Sequence, residues 1–326
     1  MIDSTRMDDT HARGNETEPF FLVGAVRSGT TMLRLLLGHH PAICRCPEFE
    51  FVASAIAGRE EWPDVEEYGR SLQASRQFRA SGLVLNTSLS FPAAARDFLK
   101  QLQQADGRPI VGTTVHNHFD ELPRIWPNAK FIYLVRDPRD VARSCVQMGF
   151  AGNAWGAAVI WQNAREAWLR LRRSLPPERF VEVRFETLMT DTVSELSRIA
   201  RFLGTEFDAA MLELERDTTY KRPDPGESRS WRNDSAEHDV RQIEAVLGPL
   251  LRDAGYEPSG LPPLRVGIWR SLALTLEHRR RRIKFAQQRY GLGLWLGDAI
   301  ARRLPVRPLR HHFQRKLDKI NERYLK

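Results

Sequence analysis

The chain has 326 residues, and its 49 lysines and arginines outweigh 41 acidic residues to give a formal net charge of +8. This length suffices to bury a sizeable core, and the composition is typical of one large α/β domain with additions. The three cysteines, at positions 44, 46 and 145, argue against a disulfide scaffold and provide no complete set of zinc ligands.

The basic residues are concentrated at the C-terminal end of the chain. Residues 261–326 contain 17 lysines and arginines but only four acidic residues, so the remainder is slightly acidic. Residues 1–18 are polar and lack the apolar core of a signal peptide, and no stretch of 18 uncharged apolar residues follows. The sequence therefore predicts a disordered lead (1–18), one large α/β domain (19–260) and a basic helical extension (261–326). It also predicts a cytoplasmic location.

Strand-like and helix-like segments alternate along the central part of the chain. Strands are predicted at 20–23, 110–115, 130–135 and 179–184, and helices at 30–38, 119–125, 155–175, 192–203 and 240–255. Such alternation indicates a central parallel β-sheet flanked by helices, with ligands bound outside the carboxyl ends of the strands. Residues 53–108 are predicted to be helical or irregular and contain no chemical motif.

The loop between the first strand and the first helix has the spacing of a phosphate-binding loop. Its glycines, Gly24 and Gly29, are separated by four residues and lead into a helix whose N-terminal N–H groups suit an anion. The residue after the second glycine is Thr30, whereas a P-loop kinase or ATPase needs lysine there. The cation is instead Arg27, inside the loop.

A second possible anion site follows the apolar segment 130–135. Arg136 leaves the end of this predicted strand, and Asp137 and Pro138 are typical of the start of a helix. Ser144 lies within about two turns of that helix. Because arginine binds phosphate in a bidentate manner, Arg136 and Ser144 are candidates for a second anion site. The alternative is that Arg136 pairs with the neighbouring acidic residues as part of a surface network.

Together the two motifs resemble those of sulfotransferases that use 3′-phosphoadenosine 5′-phosphosulfate (PAPS), in particular the branch of bacterial and protein-tyrosine enzymes. The resemblance extends over about residues 20–256 and is carried by segments 24–31, 131–141, 183–188, 202–204 and 231–232. It implies a P-loop-type sheet, PAPS as the donor and no metal. It also implies that the 5′-phosphosulfate is bound by one set of residues: Arg27, Ser28, Gly29, Thr30 and Thr31.

The resemblance assigns Arg136 and Ser144 to the 3′-phosphate of the donor, a group that ATP lacks. Arg232, next to Trp231, is a weaker candidate for closing over the donor, and an ordinary surface arginine is an equally open interpretation.

Two residues compete for the role of the general base that deprotonates an acceptor hydroxyl. Glu48 lies where the protein-tyrosine and many bacterial enzymes place a catalytic glutamate, and His116 lies where small-molecule sulfotransferases carry a histidine. A loop salt bridge for Glu48 and a structural role for His116 remain open. We favour Glu48, because the arginine-containing loop resembles that of the bacterial and protein-tyrosine branch, where the base is a glutamate. His118 is two residues beyond His116, and on a strand both would share one face.

The sequence departs from the family at one position. The branch often carries a lysine that assists the leaving group, and Thr114 occupies the matching position here. We hypothesise that Arg27 alone supplies the transition-state cation. The rival hypotheses are a catalytically weak nucleotide-binding scaffold and a P-loop kinase, which the missing lysine after Gly29 disfavours.

The predicted reaction is transfer of a sulfuryl group to the hydroxyl of a carbohydrate, glycolipid or small metabolite. The basic extension contains leucines and two tryptophans among its arginines, which favours peripheral association with an anionic membrane, at the inner membrane surface. A solvated helical face, a packing arm for an oligomer and nonspecific attraction to nucleic acid are the alternatives. No specific nucleic acid partner is predicted.

Overall fold

The computed structural model describes residues 18–216, 223–224, 226, 230–303 and 307–321. All but the last residue of the predicted lead 1–18 lies outside the described residues. The described chain forms a central parallel sheet with helices on both faces, which confirms the predicted fold class.

The sheet contains four parallel strands in the spatial order β2-β1-β3-β4. The strands are β1 (Phe20–Val23), β2 (Gly112–Val115), β3 (Lys130–Val135) and β4 (Phe180–Arg184). Val23 is in register with Val115 of β2 and Tyr133 of β3, so the carboxyl ends of these strands lie along one edge. Strands β1 and β3 are almost continuously apolar because helices cover the sheet on both sides.

The helices follow in chain order. They are α1 (Thr30–Gly38), α2 (Glu50–Ile56), α3 (Val65–Leu72), α4 (Arg76–Ser81), α5 (Phe91–Asp106), α6 (Pro138–Gln147), α7 (Ala154–Ser174), α8 (Phe185–Thr190), α9 (Thr192–Leu203), α10 (Trp231–Asp234), α11 (Glu237–Leu247), α12 (Pro249–Asp253), α13 (Ile268–Tyr290), α14 (Leu292–Arg303) and α15 (Arg307–Asn321). A short 3-10 helix spans Phe119–Arg124 where the sequence predicts a short helix.

Alternate residues of β1 enter two separate hydrophobic cores. Phe21 and Val23 pack with residues of α2, α5 and α7, whereas Phe20 and Leu22 pack with α1, α8 and α9 on the other face. This division follows from the two-residue period of a strand. Pairing of β1 with β2 and β3 in parallel register places the loops that follow these strands at the carboxyl edge.

One predicted helix is wrong in its extent. The sequence predicts a single helix over 240–255, but α11 ends at Leu247 and α12 begins at Pro249. Gly248 between them has φ 49° and ψ −122°, and proline provides no N–H to continue the ladder of α11. By contrast, β3 and α9 have the predicted bounds, and α7 ends before the two prolines as expected.

The basic extension forms the three helices α13, α14 and α15, and α13 packs on the start of α7. Leu274 of α13 is buried, and the His278 ring occupies the space above Gly156, where a Cβ atom would lie 1.9 Å from Nδ1. Within the described part of the chain, no helix combines the length and the apolar character needed to cross a membrane.

Candidate active site

The loop after β1 approaches neighbouring backbone and side chains too closely for most residues. A Cβ atom on Gly24 would lie 2.4 Å from the Leu134 carbonyl oxygen of β3, and one on Gly29 would lie 2.4 Å from the Phe185 ring. Gly29 also has φ 96°, and Arg27 adopts a left-handed conformation with φ 69°. A left-handed arginine is uncommon and marks a constrained loop of the kind found at functional sites.

The loop delivers polar groups to the N-terminus of α1. Thr30 is the first helical residue and is 4% exposed, and the preceding Ser28 is 1% exposed. Among the described residues, the Ser28 hydroxyl has no hydrogen-bond partner. Because a buried hydroxyl without a partner is costly, and because the helix N-terminus carries partial positive charge, this position fits an anionic group.

The structure brings the two predicted anion motifs together. The Arg27 Nε donates a hydrogen bond to the Ser144 Oγ of α6 at 3.0 Å. The Arg136 guanidinium lies 4.1 Å from the centroid of the Phe185 ring, the same ring that contacts Gly29. The β1–α1 loop and the β3–α6 junction therefore form one continuous site at the carboxyl edge of the sheet.

The acidic residues beside Arg136 are engaged by other partners. Asp137 caps α6 and forms a buried ion pair with Arg139 at 2.7 Å. The Asp140 Oδ1 accepts hydrogen bonds from the Ser230 hydroxyl and the Trp231 backbone N–H, both at 2.8 Å. Burial raises the pKa of Asp140, and Arg136 opposes this shift electrostatically. Asp137 and Asp140 therefore anchor α10 to α6, and Asp140 also attracts Arg136 electrostatically.

Glu48 lies beside β2. Residues on either side of it bind the β2 backbone, since the Phe49 N–H donates to Thr114 O at 2.9 Å and the Thr114 N–H donates to Pro47 O at 2.8 Å. The half-buried Glu48 carboxylate accepts a hydrogen bond from the Gln77 side-chain amide at 3.0 Å. These hydrogen bonds hold the short segment that contains Glu48 beside the end of β2.

His116 follows β2 directly and contacts the first anion loop. Its Nδ1 lies 3.0 Å from the Gly24 carbonyl oxygen, which only accepts hydrogen bonds, so Nδ1 carries the proton and Nε2 is the ring nitrogen able to accept one. The Glu50 carboxylate accepts hydrogen bonds from the backbone N–H groups of His116 and Asn117, and burial raises the pKa of Glu50.

Two expectations concern the end of β2, and the structure contradicts one of them. The expectation that His116 and His118 share a strand face is wrong, because β2 ends at Val115 and His118 has a left-handed backbone with φ 54°. Thr114 is 1% exposed, and its hydroxyl donates to the Cys46 carbonyl oxygen at 3.1 Å. Threonine at the usual lysine position is therefore part of the buried contact between β2 and the Glu48 segment.

Arg232 lies beside a cavity of about 490 Å³ and is exposed. Its guanidinium is 4.9 Å from the centroid of the Trp231 ring, whose indole N–H donates to Asp137 Oδ2 at 3.0 Å. The cavity is lined by Asp137, Arg139, Arg184, Glu186, Thr187, Thr190, Trp231, Arg232, Gly255, Tyr256 and Glu257. Within the described part of the chain, Trp231 joins Arg232 to the second motif, and the closing role of Arg232 stays a prediction.

Three residues of this site are not predicted from the sequence. Phe185 fills the space between Gly29 and Arg136, Gln77 binds Glu48, and Glu50 binds the turn that carries His116. Phe185 lies in segment 183–188, which resembles the family, so the sequence contains a motif that points to this residue. Gln77 and Glu50 belong to segments without a recognisable motif. Within the described residues, no group of three or more His, Cys, Asp or Glu side chains has the geometry of a metal site.

Comparison with known proteins identifies the family. A model of the Sulfotransferase family matches residues 19–209. The chain belongs to the sulfotransferase family. Protein-tyrosine sulfotransferase A of Caenorhabditis elegans is 26% identical to it over 81% of this chain and 73% of the relative. Human protein-tyrosine sulfotransferase 1 is 24% identical over 79% of this chain and 75% of the relative.

Among solved structures, the sulfotransferase domain of the Synechococcus PCC 7002 olefin synthase superposes with a TM-score of 0.49. It is 22% identical and is matched over 76% of this chain and 98% of the domain. Membership of the family makes the protein a sulfotransferase, as the sequence motifs predict.

The predicted location is wrong. We expected a cytoplasmic sulfotransferase, with a peripheral position at the inner membrane surface. Its curated relatives are protein-tyrosine sulfotransferases, a class of enzyme that does not act in the cytoplasm. The expectation depended on the lack of an apolar signal-peptide core and of a membrane-spanning stretch, and neither observation specifies a compartment.

Proposed function

We propose that this sulfotransferase transfers the sulfuryl group of PAPS to an acceptor hydroxyl and releases 3′-phosphoadenosine 5′-phosphate (PAP). The observation that carries the proposal is the hydrogen bond between Arg27 and Ser144, because it joins a loop suited to a 5′-phosphosulfate to a helix suited to a 3′-phosphate. Two anion sites joined in this way favour a donor with phosphates at both positions. ATP would leave the second site without a ligand.

In the proposed complex, the residues of the loop and of the β3–α6 junction bind the two charged ends of the donor. The Ser28 hydroxyl and the α1 N-terminus hold the 5′-phosphosulfate, and Arg136 and Ser144 hold the 3′-phosphate. Arg27 lies between them and stabilises negative charge on the departing phosphate oxygen. The transfer forms one bond between the acceptor oxygen and sulfur while the bond from sulfur to the phosphate oxygen breaks.

The acceptor proton passes to a base at the end of β2. Glu48 is our first candidate: within the described residues its carboxylate is bound by Gln77 at Oε2, which leaves Oε1 available to a substrate. His116 is the alternative, because its Nδ1–H contact with Gly24 orients Nε2 as a proton acceptor. The His116 ring contacts Gly24 at the start of the loop that carries Arg27, and Glu48 lies beside Thr114 near the end of β2.

The phenolic hydroxyl of a protein tyrosine is the first acceptor to test. The support is that relatives covering most of this chain are named as protein-tyrosine sulfotransferases, at 24–26% identity. At this identity the residues that contact the acceptor need not be the same in these proteins. Carbohydrates, glycolipids and small metabolites therefore remain the other members of the panel.

Incubation with radiolabelled PAPS and this acceptor panel tests the proposal. We expect label to move to at least one hydroxyl acceptor and Glu48→Gln to abolish transfer while PAP binding is retained. If His116→Gln abolishes transfer and Glu48→Gln does not, the base is His116. Tight PAP binding without transfer to any acceptor would instead favour the nucleotide-binding scaffold, and ATP-dependent phosphorylation would favour a kinase.

We also infer that the exposed face of α13 binds an anionic lipid surface. Ile268 and Trp269 are 78% and 84% exposed, and Leu272, Leu276 and Ile283 continue the same face, opposite the side that packs on α7. The exposed arginines and lysine around this face would repel a second copy of it and attract anionic headgroups.

Co-sedimentation with vesicles tests this second proposal. The protein is expected to bind vesicles containing phosphatidylserine and not vesicles of phosphatidylcholine alone, and Trp269→Ser with Leu272→Ser is expected to remove the binding. Val84→Ser is the matched control, because Val84 is a 69% exposed apolar residue outside the extension. Equal binding by the double variant and by the control would rule out α13 as the lipid-binding surface.

A further inference from the structure

The C-terminal extension contacts α4 as well as α7. The Arg79 guanidinium of α4 forms an ion pair with the Asp318 carboxylate of α15. In the same short helix, Gln77 donates its hydrogen bond to Glu48. We propose that the Arg79–Asp318 ion pair is a positioning contact, which holds α4 so that Gln77 orients the Glu48 carboxylate. The inference depends on the proposed function, in which Glu48 is the base.

Helix α4 has few other attachments to the core. It is six residues long, and none of them is fully buried. Its one aromatic residue, Phe78, is half-buried and packs edge-on against Phe51 and Phe98, with ring centroids 5.4 and 5.6 Å apart. A helix this short has little stability of its own, so contacts at its surface decide its position.

The ion pair is better placed than most surface pairs. The Asp318 side chain is 8% exposed, Arg79 is about one-third exposed, and Gln314 of α15 donates to Asp318 Oδ1 at 3.2 Å. Arg79 also donates to the Gln73 carbonyl oxygen at 2.6 Å, which links α4 back to the end of α3. Partial burial and these additional hydrogen bonds reduce solvent screening and hold both side chains in place.

The extension connects the two sides of the active site. At one end, Arg289 of α13 donates to the Met148 carbonyl oxygen, immediately after the helix that carries Ser144. The Tyr290 hydroxyl then donates to Asn321 Oδ1 at 2.8 Å and fixes α13 to α15. At the other end, Asp318 binds α4. The extension therefore links the donor-binding helix α6 to the helix that contacts Glu48.

Hydrogen–deuterium exchange tests the contact without reference to activity. In Asp318→Asn we expect faster exchange of residues 76–81 and of the segment around Glu48, with no change in α1 or α6. The charge-reversed double variant, Arg79→Asp with Asp318→Arg, is expected to restore part of the protection. Arg170→Ala is the control, since it removes an exposed ion pair with Asp120 on another face. Unchanged exchange of residues 76–81 in Asp318→Asn would overturn the proposal.

Kinetics with radiolabelled PAPS and the acceptor that gives transfer in the panel test the link to Glu48. Asp318→Asn and Gln77→Ala are each expected to lower kcat about tenfold, the effect of one lost hydrogen bond, with PAP affinity unchanged. The two changes are expected not to add, because both act by releasing Glu48. Additive losses, or a loss of PAP affinity, would show that the ion pair serves general stability and would overturn its positioning role.

The proposed sulfuryl transfer and the proposed positioning contact fail in different ways. If residues 76–81 exchange faster in Asp318→Asn but the wild-type protein transfers label to no acceptor, the contact with α4 is supported and the proposed function is wrong. If wild-type transfer is normal and Asp318→Asn behaves like Arg170→Ala in both measurements, the function stands and the positioning contact is wrong.

Discussion

Arg27 and Ser144 are 117 positions apart in the chain, and the Arg27 Nε donates to the Ser144 Oγ at 3.0 Å. The contact joins the first β–α loop of the sheet to the helix after β3. Because β1 and β3 are adjacent and parallel, both loops open on the same edge. The hydrogen bond therefore ties together the two motifs that we propose to bind the anionic ends of the donor.

Removing either partner of this hydrogen bond is expected to weaken donor binding. Arg27→Ala should lower PAP affinity by about 10- to 100-fold, the effect of losing hydrogen bonds to a charged group, and should lower kcat as well. Ser144→Ala should lower the affinity by about fivefold to tenfold, since a neutral hydroxyl contributes less. Titration calorimetry with PAP measures both, with Arg170→Ala as a surface control. Near-normal turnover by Arg27→Ala at saturating PAPS would refute the assignment of the transition-state cation.

Gly29→Ala is expected to damage the site through a specific steric overlap. The new Cβ would lie 2.4 Å from the Phe185 ring, and the backbone has φ 96°. Gly204→Ala is a matched control, because Gly204 has φ 88° and a Cβ atom added there would meet nothing within 4 Å. The control should lose about 1 kcal/mol of unfolding free energy from backbone strain alone. Gly29→Ala should lose more in urea unfolding and should also lose PAP binding; equal losses in the two variants would contradict the overlap.

The parts of the site that the sequence predicts are those fixed by local chemistry and strand position. The loop around Arg27 and the capped helix start at Asp137 each have a short signature, and parallel strands bring their ends together. Gln77 and Glu50 lacked such a signature, because their roles depend on how α4 and α2 pack against distant segments. The contact between Arg79 and Asp318 spans 239 positions and depends on the path of the whole extension.

Restoring lysine at position 114 is not expected to improve the enzyme. The Thr114 side chain is buried, and its hydroxyl donates to the Cys46 carbonyl oxygen. An unpaired lysine there would have to expel or displace the Glu48 segment, at a cost of about 3–5 kcal/mol in unfolding free energy. We therefore expect Thr114→Lys to unfold at lower urea concentration with no gain in kcat, whereas Thr114→Val should keep the fold with a loss of about 1 kcal/mol. A higher kcat in Thr114→Lys would show that Arg27 alone does not supply all of the positive charge that the transition state needs.

The docking of α13 on α7 is expected to weaken in acid. The His278 Nδ1 accepts a hydrogen bond from the Gly152 N–H at 3.1 Å, which requires that nitrogen to be unprotonated. Burial lowers the pKa of His278, and the nearby Arg282 and Arg279 lower it further. Since the folded-state pKa is depressed, the contact stabilises the fold above the unfolded pKa of about 6.5 and is lost as the pH falls through the folded value.

Hydrogen exchange of α13 between pH 7.5 and 5.0, corrected for intrinsic rates, measures this effect. Protection of α13 should fall with the pH in the wild-type protein and in His312→Asn, which changes an exposed histidine of α15. In His278→Asn the side-chain oxygen still accepts from Gly152 but has no proton to gain, so protection should no longer depend on pH in this range. If the pH dependence persists in His278→Asn, a group other than the His278 ring controls the docking of the extension.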